Sequence, residues 1–152
     1  MIKSIPNLIT LGNLACGLLG ITMVSQGDPF YAFLFMIAGA VLDFFDGFFA
    51  RLLKADGELG KQLDSLADVV TFGVLPGLIW RFYMEVQGFC SATGFCINSY
   101  IWLLIPLGAA YRLATFNIDT RQSTGFLGVP TPITGIALAS WSWMVYSIDH
   151  SF

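Results

Sequence analysis

Charge is what this sequence has least of. Asp, Glu, Lys and Arg make up 11% of its 152 residues, where a water-soluble domain carries roughly 25%. With 56% hydrophobic residues and a mean hydropathy of +0.73, that shortage excludes an ordinary soluble domain. Most of the surface must face something other than water, and a bilayer is the natural candidate. The basic residues, seven in all, form no stripe, so no nucleic-acid partner is expected. Three cysteines are too few for a disulfide framework. Cys16 lies in an apolar run and is expected to pack. Cys90 and Cys96 flank a polar stretch and could pair if that loop faces an oxidising compartment. The one histidine, His150, is expected in an exposed tail. A cleavable signal is also lacking: Lys3 is the only early charge, and the first apolar run ends in SQGDP rather than a small-residue cleavage site. That run reads as a retained span.

What the chain does have is long apolar runs. A spanning helix needs roughly 20 mostly apolar residues. Five segments qualify, at about 8–24, 30–53, 63–84, 100–116 and 130–148. The expected fold is an all-α polytopic membrane bundle of five transmembrane helices in a single domain, 1–152. The positive-inside rule orients it. With the N-terminus in the cytoplasm, Lys3, Arg51, Lys54, Lys61, Arg112 and Arg121 lie at the cytoplasmic face and only Arg81 lies opposite. Trp80, Trp102, Trp141 and Trp143 fall near expected span ends, where aromatic belts form. Glycines inside the spans permit close helix packing.

Charges inside spans are costly and usually mark function. Asp43 and Asp46 are three apart, so they share a helix face with Gly47 and Ala50, and Arg51 closes that stripe. After a hydrophilic hinge, Gly60, Asp64 and Asp68 recur at intervals of four on the next helix. Antiparallel neighbours would aim four carboxylates at one another near the cytoplasmic face. Four such charges need neutralising, and a hard divalent cation with oxygen ligands is the simplest remedy. The number suits two cations about 3.5–4 Å apart, the arrangement used for phosphoryl chemistry. Gly47, Ala50 and Gly60 leave room for a ligand, and Arg51 offers a planar fork for phosphate oxygens. Any one of these acids alone could simply be solvated, as Asp56 and Glu58 in the hinge are expected to be. A cation transporter would also use intramembrane carboxylates, but a fixed arginine beside the path would repel the ion.

Written out, the stretch is Asp43-x2-Asp46-Gly47-x2-Ala50-Arg51-x8-Gly60-x3-Asp64-x3-Asp68. It resembles, at all eight positions, the signature of the CDP-alcohol phosphatidyltransferase family. The resemblance implies an all-helical membrane fold, a CDP-diacylglycerol-type donor, release of CMP, dependence on Mg²⁺ or Mn²⁺, and a homodimer. It makes Asp43, Asp46, Asp64 and Asp68 the metal ligands, with Asp64 and Asp68 at the catalytic centre and Asp68 the base for the acceptor hydroxyl. Gly47, Ala50 and Arg51 become the floor and phosphate clamp of the nucleotide site, and Gly60 a close-approach position beside it.

The flanks are similar to the phosphatidylserine synthase branch. The start, IPNLITLGNLACGLLGI, carries Asn7, Thr10 and Asn13 in a pattern implied to bind the CDP-lipid head. Residues 60–76, YRLATFN at 111–117 and GFLGVPTP at 125–132 are similar to the same branch. L-serine is then the implied acceptor, and Arg112, Asn117 and Arg121 are candidates for its pocket. Another alcohol, such as glycerol 3-phosphate or an inositol phosphate, is the alternative acceptor. The implied location is the cytoplasmic membrane, with the site facing the cytoplasm. Two departures stand out. Thr115 occupies a position where the synthases commonly carry a basic residue. The family usually has six spans, so the chain is either a naturally short member or truncated at its C-terminus.

Overall fold

The computed structural model describes residues 5–53, 57–88, 98–118 and 131–149. Every element among them is helical: α1 (Ile5–Ser25), α2 (Pro29–Leu52), α3 (Glu58–Asp68), a π-helical turn (Val69–Val74), α4 (Leu75–Val86), α5 (Asn98–Ile101), α6 (Leu104–Ile118) and α7 (Thr131–Asp149). The protein is an all-α bundle. Among the described residues, three helices are long and apolar enough to cross a membrane: Pro6–Ser25, Pro29–Leu52 and the continuous Glu58–Val86, which joins α3, the π turn and α4.

The α1–α2 connection is tight. Gly27 adopts φ +87°, a left-handed conformation that costs glycine little. Pro29 then opens α2, where its missing N–H removes no helical bond. The two helices pack closely along their length, through glycines whose Cβ position is already occupied by a neighbour. A Cβ on Gly39 would lie 2.7 Å from Thr71 Cγ2 and 2.9 Å from Asn13 Oδ1. Lipid is as apolar as a leucine side chain, so such contacts, rather than hydrophobic burial, hold membrane helices together.

The π turn is the hub. Its consecutive residues Thr71, Phe72 and Gly73 are all buried, each against a different helix. Thr71 meets α1 at Gly17, Phe72 meets α7 at Gly135, and Gly73 meets α6 at Pro106 and Ala109. Successive residues of a regular helix point about 100° apart (3.6 residues per turn), so three in a row can reach three neighbours. Single π turns of this kind occur frequently at functional sites. Below it, Leu75, Ile79 and Tyr83 of α4 pack with Ala32, Met36 and Ala139 into the apolar core.

The expected fourth span, 100–116, differs in the structure. The helix breaks at Trp102 and Leu103, and α6 proper has 15 residues. Pro106 explains the break. A proline inside a continuous helix forfeits a backbone bond, whereas in the first turn it forfeits none. The Trp102 carbonyl accepts from the Ile105 N–H at 3.1 Å and lies against Gly77 of α4. Cys90, Cys96, Lys3, Lys54, Asp56, Arg121 and His150 lie outside the described residues. Cys16 is a free, half-buried thiol.

Candidate active site

One end of the bundle gathers the start of α1, the end of α2, the start of α3, the end of α6 and the start of α7. Here α2 and α3 run antiparallel, so the three-residue spacing of Asp43 and Asp46 meets the four-residue spacing of Asp64 and Asp68. Asp43, Asp64 and Asp68 each offer a carboxylate oxygen within 4.8 Å of the others. Asp46 stands one turn further along α2. It is only 5% exposed, and its Oδ2 has no hydrogen-bond partner among the described residues.

Two cavities meet on this acidic group. The first, about 440 Å³, is walled by Pro6, Asn7 and Thr10 of α1, by Asp46, Gly47 and Ala50 of α2, and by Gly60, Lys61 and Asp64 of α3. The second, about 600 Å³, opens on the other side of the acids. Its walls include Asp43, Asp68 and Ser65, then Tyr111, Arg112, Thr115 and Asn117 of α6 and Thr131 of α7. Asp46, Gly47, Lys61 and Asp64 line both. A Cβ on Gly47 would meet nothing within 4 Å, so its absence keeps both spaces open. Gly60 instead faces Asn7 Oδ1, 3.1 Å from where its Cβ would be.

The residues fit a divalent cation. Oxygen ligands at roughly 2.0–2.6 Å from one ion lie no more than about 4–5 Å apart, and the three aspartates meet that spacing. The unpartnered oxygen of Asp46 adds a further donor beside them. A buried carboxylate without a compensating charge or hydrogen bond is costly, and a bound cation would offset that cost.

Other expected site residues fall into distinct positions. Thr10 is buried, with its hydroxyl donating to the Pro6 carbonyl at 3.0 Å. Asn13 is fully buried and lines neither cavity; its Nδ2 donates to Asp68 Oδ1 at 3.4 Å, and its carbonyl accepts from Thr71 Oγ1 at 3.2 Å. Arg51 is exposed, donates from Nε to the Gly47 carbonyl at 3.0 Å, and lines neither cavity. Thr115 lines the second cavity with its hydroxyl donating back to the Tyr111 carbonyl at 2.8 Å.

Sequence reasoning missed Lys61 and Ser65. From sequence, Lys61 bears only on topology, and Ser65 is one polar residue between two aspartates. Together they tie α3 to α6. Lys61 Nζ donates to the Asn117 carbonyl at 3.1 Å, Asn117 Nδ2 donates to Ser65 Oγ at 2.8 Å, and Ser65 Oγ donates to the Lys61 carbonyl at 3.0 Å. The available signal is spacing: Lys61 and Ser65 are four apart, each one residue from the face that carries Gly60, Asp64 and Asp68.

With that geometry established, comparison with known proteins is decisive. The sequence profile of the CDP-alcohol phosphatidyltransferases matches residues 3–149. The chain belongs to the CDP-alcohol phosphatidyltransferase family. This places it among membrane-embedded enzymes. It is 37% identical over 139 residues to a protein of Bacillus subtilis (strain 168) named CDP-diacylglycerol–serine O-phosphatidyltransferase, covering 91% of this chain and 75% of that one. A Helicobacter pylori (strain J99) protein of the same name is 35% identical over 133 residues, covering 86% of this chain and 54% of its own. The archaetidylserine synthase of Methanothermobacter thermautotrophicus is 30% identical over 141 residues, covering 91% and 57%. The chain thus spans three quarters of the Bacillus relative and just over half of the other two. No solved structure matches it.

Proposed function

We propose that this protein transfers the phosphatidyl group of CDP-diacylglycerol to the hydroxyl of L-serine, giving phosphatidylserine and CMP. The observation that carries the reading is the placement of three clustered carboxylates at the meeting of two cavities. One cavity is walled by α1 and the motif glycines, the other by α6. A transfer between two substrates needs such a pair of spaces with the chemistry at their seam. The names of the relatives supply serine as the acceptor, and phospholipid biosynthesis is then the process served.

Asp43, Asp46, Asp64 and Asp68 would hold divalent metal, Mg²⁺ or Mn²⁺ in a two-metal site, which when bound neutralises charge on the donor diphosphate and on the departing CMP. The rest is carried by the chain's own residues. The α1-side cavity, with Asn7, Thr10, Gly47, Ala50 and Gly60, receives the nucleotide. Arg51, four residues beyond Gly47 on α2, would offer its guanidinium to a phosphate in place of its bond to the Gly47 carbonyl. The α6-side cavity, with Arg112 and Asn117, receives the acceptor and sets its hydroxyl beside Asp68. Asp68 takes the hydroxyl proton as the oxygen bonds to the phosphatidyl phosphorus, and the phosphorus–oxygen bond to CMP breaks. Holding both substrates in one geometry supplies much of the rate gain. The protein would act as a homodimer in the cytoplasmic membrane, with this end facing the cytoplasm, where Arg51, Lys61 and Arg112 gather.

The test is a head-group transfer assay on purified protein in detergent with CDP-diacylglycerol and Mg²⁺ or Mn²⁺. Serine, glycerol 3-phosphate and inositol 1-phosphate are offered in turn, and products are read by mass spectrometry. Metal-dependent phosphatidylserine and CMP are expected. Asp64→Asn is expected to lower turnover by about 10²-fold or more, the scale of losing a group that stabilises transition-state charge. Transfer to a different alcohol would overturn the serine assignment.

A further inference from the structure

Lys61 stands where the two cavities meet. Among the described residues it is the one cation that lines both. Its ammonium, however, points to the α6 side. It donates to the Asn117 carbonyl at 3.1 Å and lies 6.0 Å from the centre of the Phe116 ring. No aspartate of the site lies within ion-pair distance of it, because the side chain is drawn away from them toward the end of α6. Among the described residues the Asn117 carbonyl is the one acceptor on this ammonium, and a lysine ammonium has three N–H donors.

The acceptor cavity has an electrostatic problem that this placement answers. Asp43, Asp46, Asp64 and Asp68 all line it. An amino-acid acceptor brings a carboxylate of the same sign into that space. With the acids engaged in holding divalent metal, its hydroxyl must approach Asp68 while its carboxylate still needs a positive charge apart from that site. Lys61 and Arg112 are the cations that line this cavity among the described residues, and the Lys61 ammonium is held at the end of α6 by the Asn117 carbonyl.

We propose that Lys61 is the acceptor-selecting cation, binding the carboxylate of the incoming amino acid with its resting hydrogen bond to Asn117 exchanged or shared. This deepens the serine reading and rests on it. Lys61 then accounts for preference for a carboxylate-bearing alcohol over a neutral or cationic one. Asn117 holds the receiving wall in place through Ser65, so the ammonium and the wall are fixed by the same short stretch of α3.

The experiment measures kcat and KM for serine and for serinol, in which a hydroxymethyl group replaces the carboxylate, in the wild type, Lys61→Gln and Lys61→Arg. The KM for CDP-diacylglycerol and the binding of Mn²⁺, read by electron paramagnetic resonance, are followed in each. For Lys61→Gln, KM for serine is expected to rise about 10- to 100-fold, the scale of one charge-assisted hydrogen bond. Serinol kinetics, donor KM and Mn²⁺ binding are expected to stay within about twofold. Lys61→Arg is expected to recover most of the serine affinity. An equal rise for serine and serinol, or a rise in donor KM instead, would overturn the proposal and assign Lys61 to the donor or to structure. A wild type that transfers to neither serine nor serinol but to another alcohol fails the serine reading itself, and the proposal falls with it. Loss of Mn²⁺ binding in both variants would show a folding defect and overturn a selective role.

Discussion

From Glu58 to Asp68 the third spanning helix carries Glu58, Lys61, Asp64, Ser65 and Asp68; from Leu75 to Val86 its only charges are Arg81 and Glu85. The second pair satisfies itself, with Arg81 Nε donating to Glu85 Oε1 at 2.8 Å on an exposed face. The first set does not: Glu58 and Lys61 are exposed at the cavity walls, Asp64 is half-buried, and Asp68 is only 6% exposed. The same contrast runs through the neighbouring helices. Around α3 the buried side chains include the polar Thr10, Asn13, Asp46 and Asp68 beside Ala67; around α4 they include Met36, Leu75, Ile79 and Tyr83. At the far end Trp143 of α7 packs against Phe30 of α2 and Tyr83 of α4 at ring distances of 5.3 and 6.4 Å. One continuous helix therefore serves as both wall and anchor. Its apolar half is held by packing, which lets the other half present charges that would not hold a bundle together unaided.

The π turn joins the two halves, so the largest expected effect comes from disturbing it. A Cβ on Gly135 would lie 2.7 Å from the Phe72 carbonyl oxygen, a backbone atom that cannot rotate away. Gly135→Ala must push α7 from the turn, at a cost of about 1–3 kcal/mol for an overpacked contact. Thermal unfolding in detergent is expected to shift down by several degrees, with turnover falling too because the turn also sets Asp68. Unchanged melting would mean that α7 is not seated on the turn.

Asn13 tests the polar half more narrowly. It is buried between α1 and the helix that carries Asp68, donates to Asp68 Oδ1, and is held in turn by Thr71. The CDP-lipid-binding role implied by resemblance and its placement under Asp68 are separable. Asn13→Ala removes one donor from a carboxylate, an effect of about 1–3 kcal/mol. As a positioning residue it should lower kcat about tenfold with donor KM unchanged. A raised donor KM with intact kcat would instead support direct contact with the lipid head.

The same contrast decides what can be read from sequence. The four aspartates are legible because a charge inside an apolar span is too costly to keep without a task. Gly47 and Gly60 are legible beside them, as gaps on the faces that carry those charges. The helical bundle follows from hydropathy alone. Lys61 and Ser65 are hidden, since a polar residue at the hydrophilic start of a span looks solvated until α6 is brought beside it. The π turn leaves almost no local mark: its sequence, VVTFGV, is compatible with an ordinary helix, and the three helices packed on it are distant in the chain. The shortened α6 is signalled by Pro106, but hydropathy averaged over a window hides one residue's lost N–H.

Gly47 gives the smallest effect and the sharpest separation of frame from site. Its Cβ position is empty, so Gly47→Ala meets no steric penalty in the fold. Replacing a helical glycine with alanine lowers the backbone entropy lost on folding and favours the helix by up to about 1 kcal/mol. Melting should hold or rise slightly. The added methyl nevertheless enters the space shared by both cavities. Substrate fit should therefore worsen, with donor KM rising about three- to tenfold, the scale of a misplaced methyl group in a binding site. Opposite movements of melting temperature and affinity would show that this glycine is kept for the ligand. A parallel fall of both would mean that the helix itself requires it.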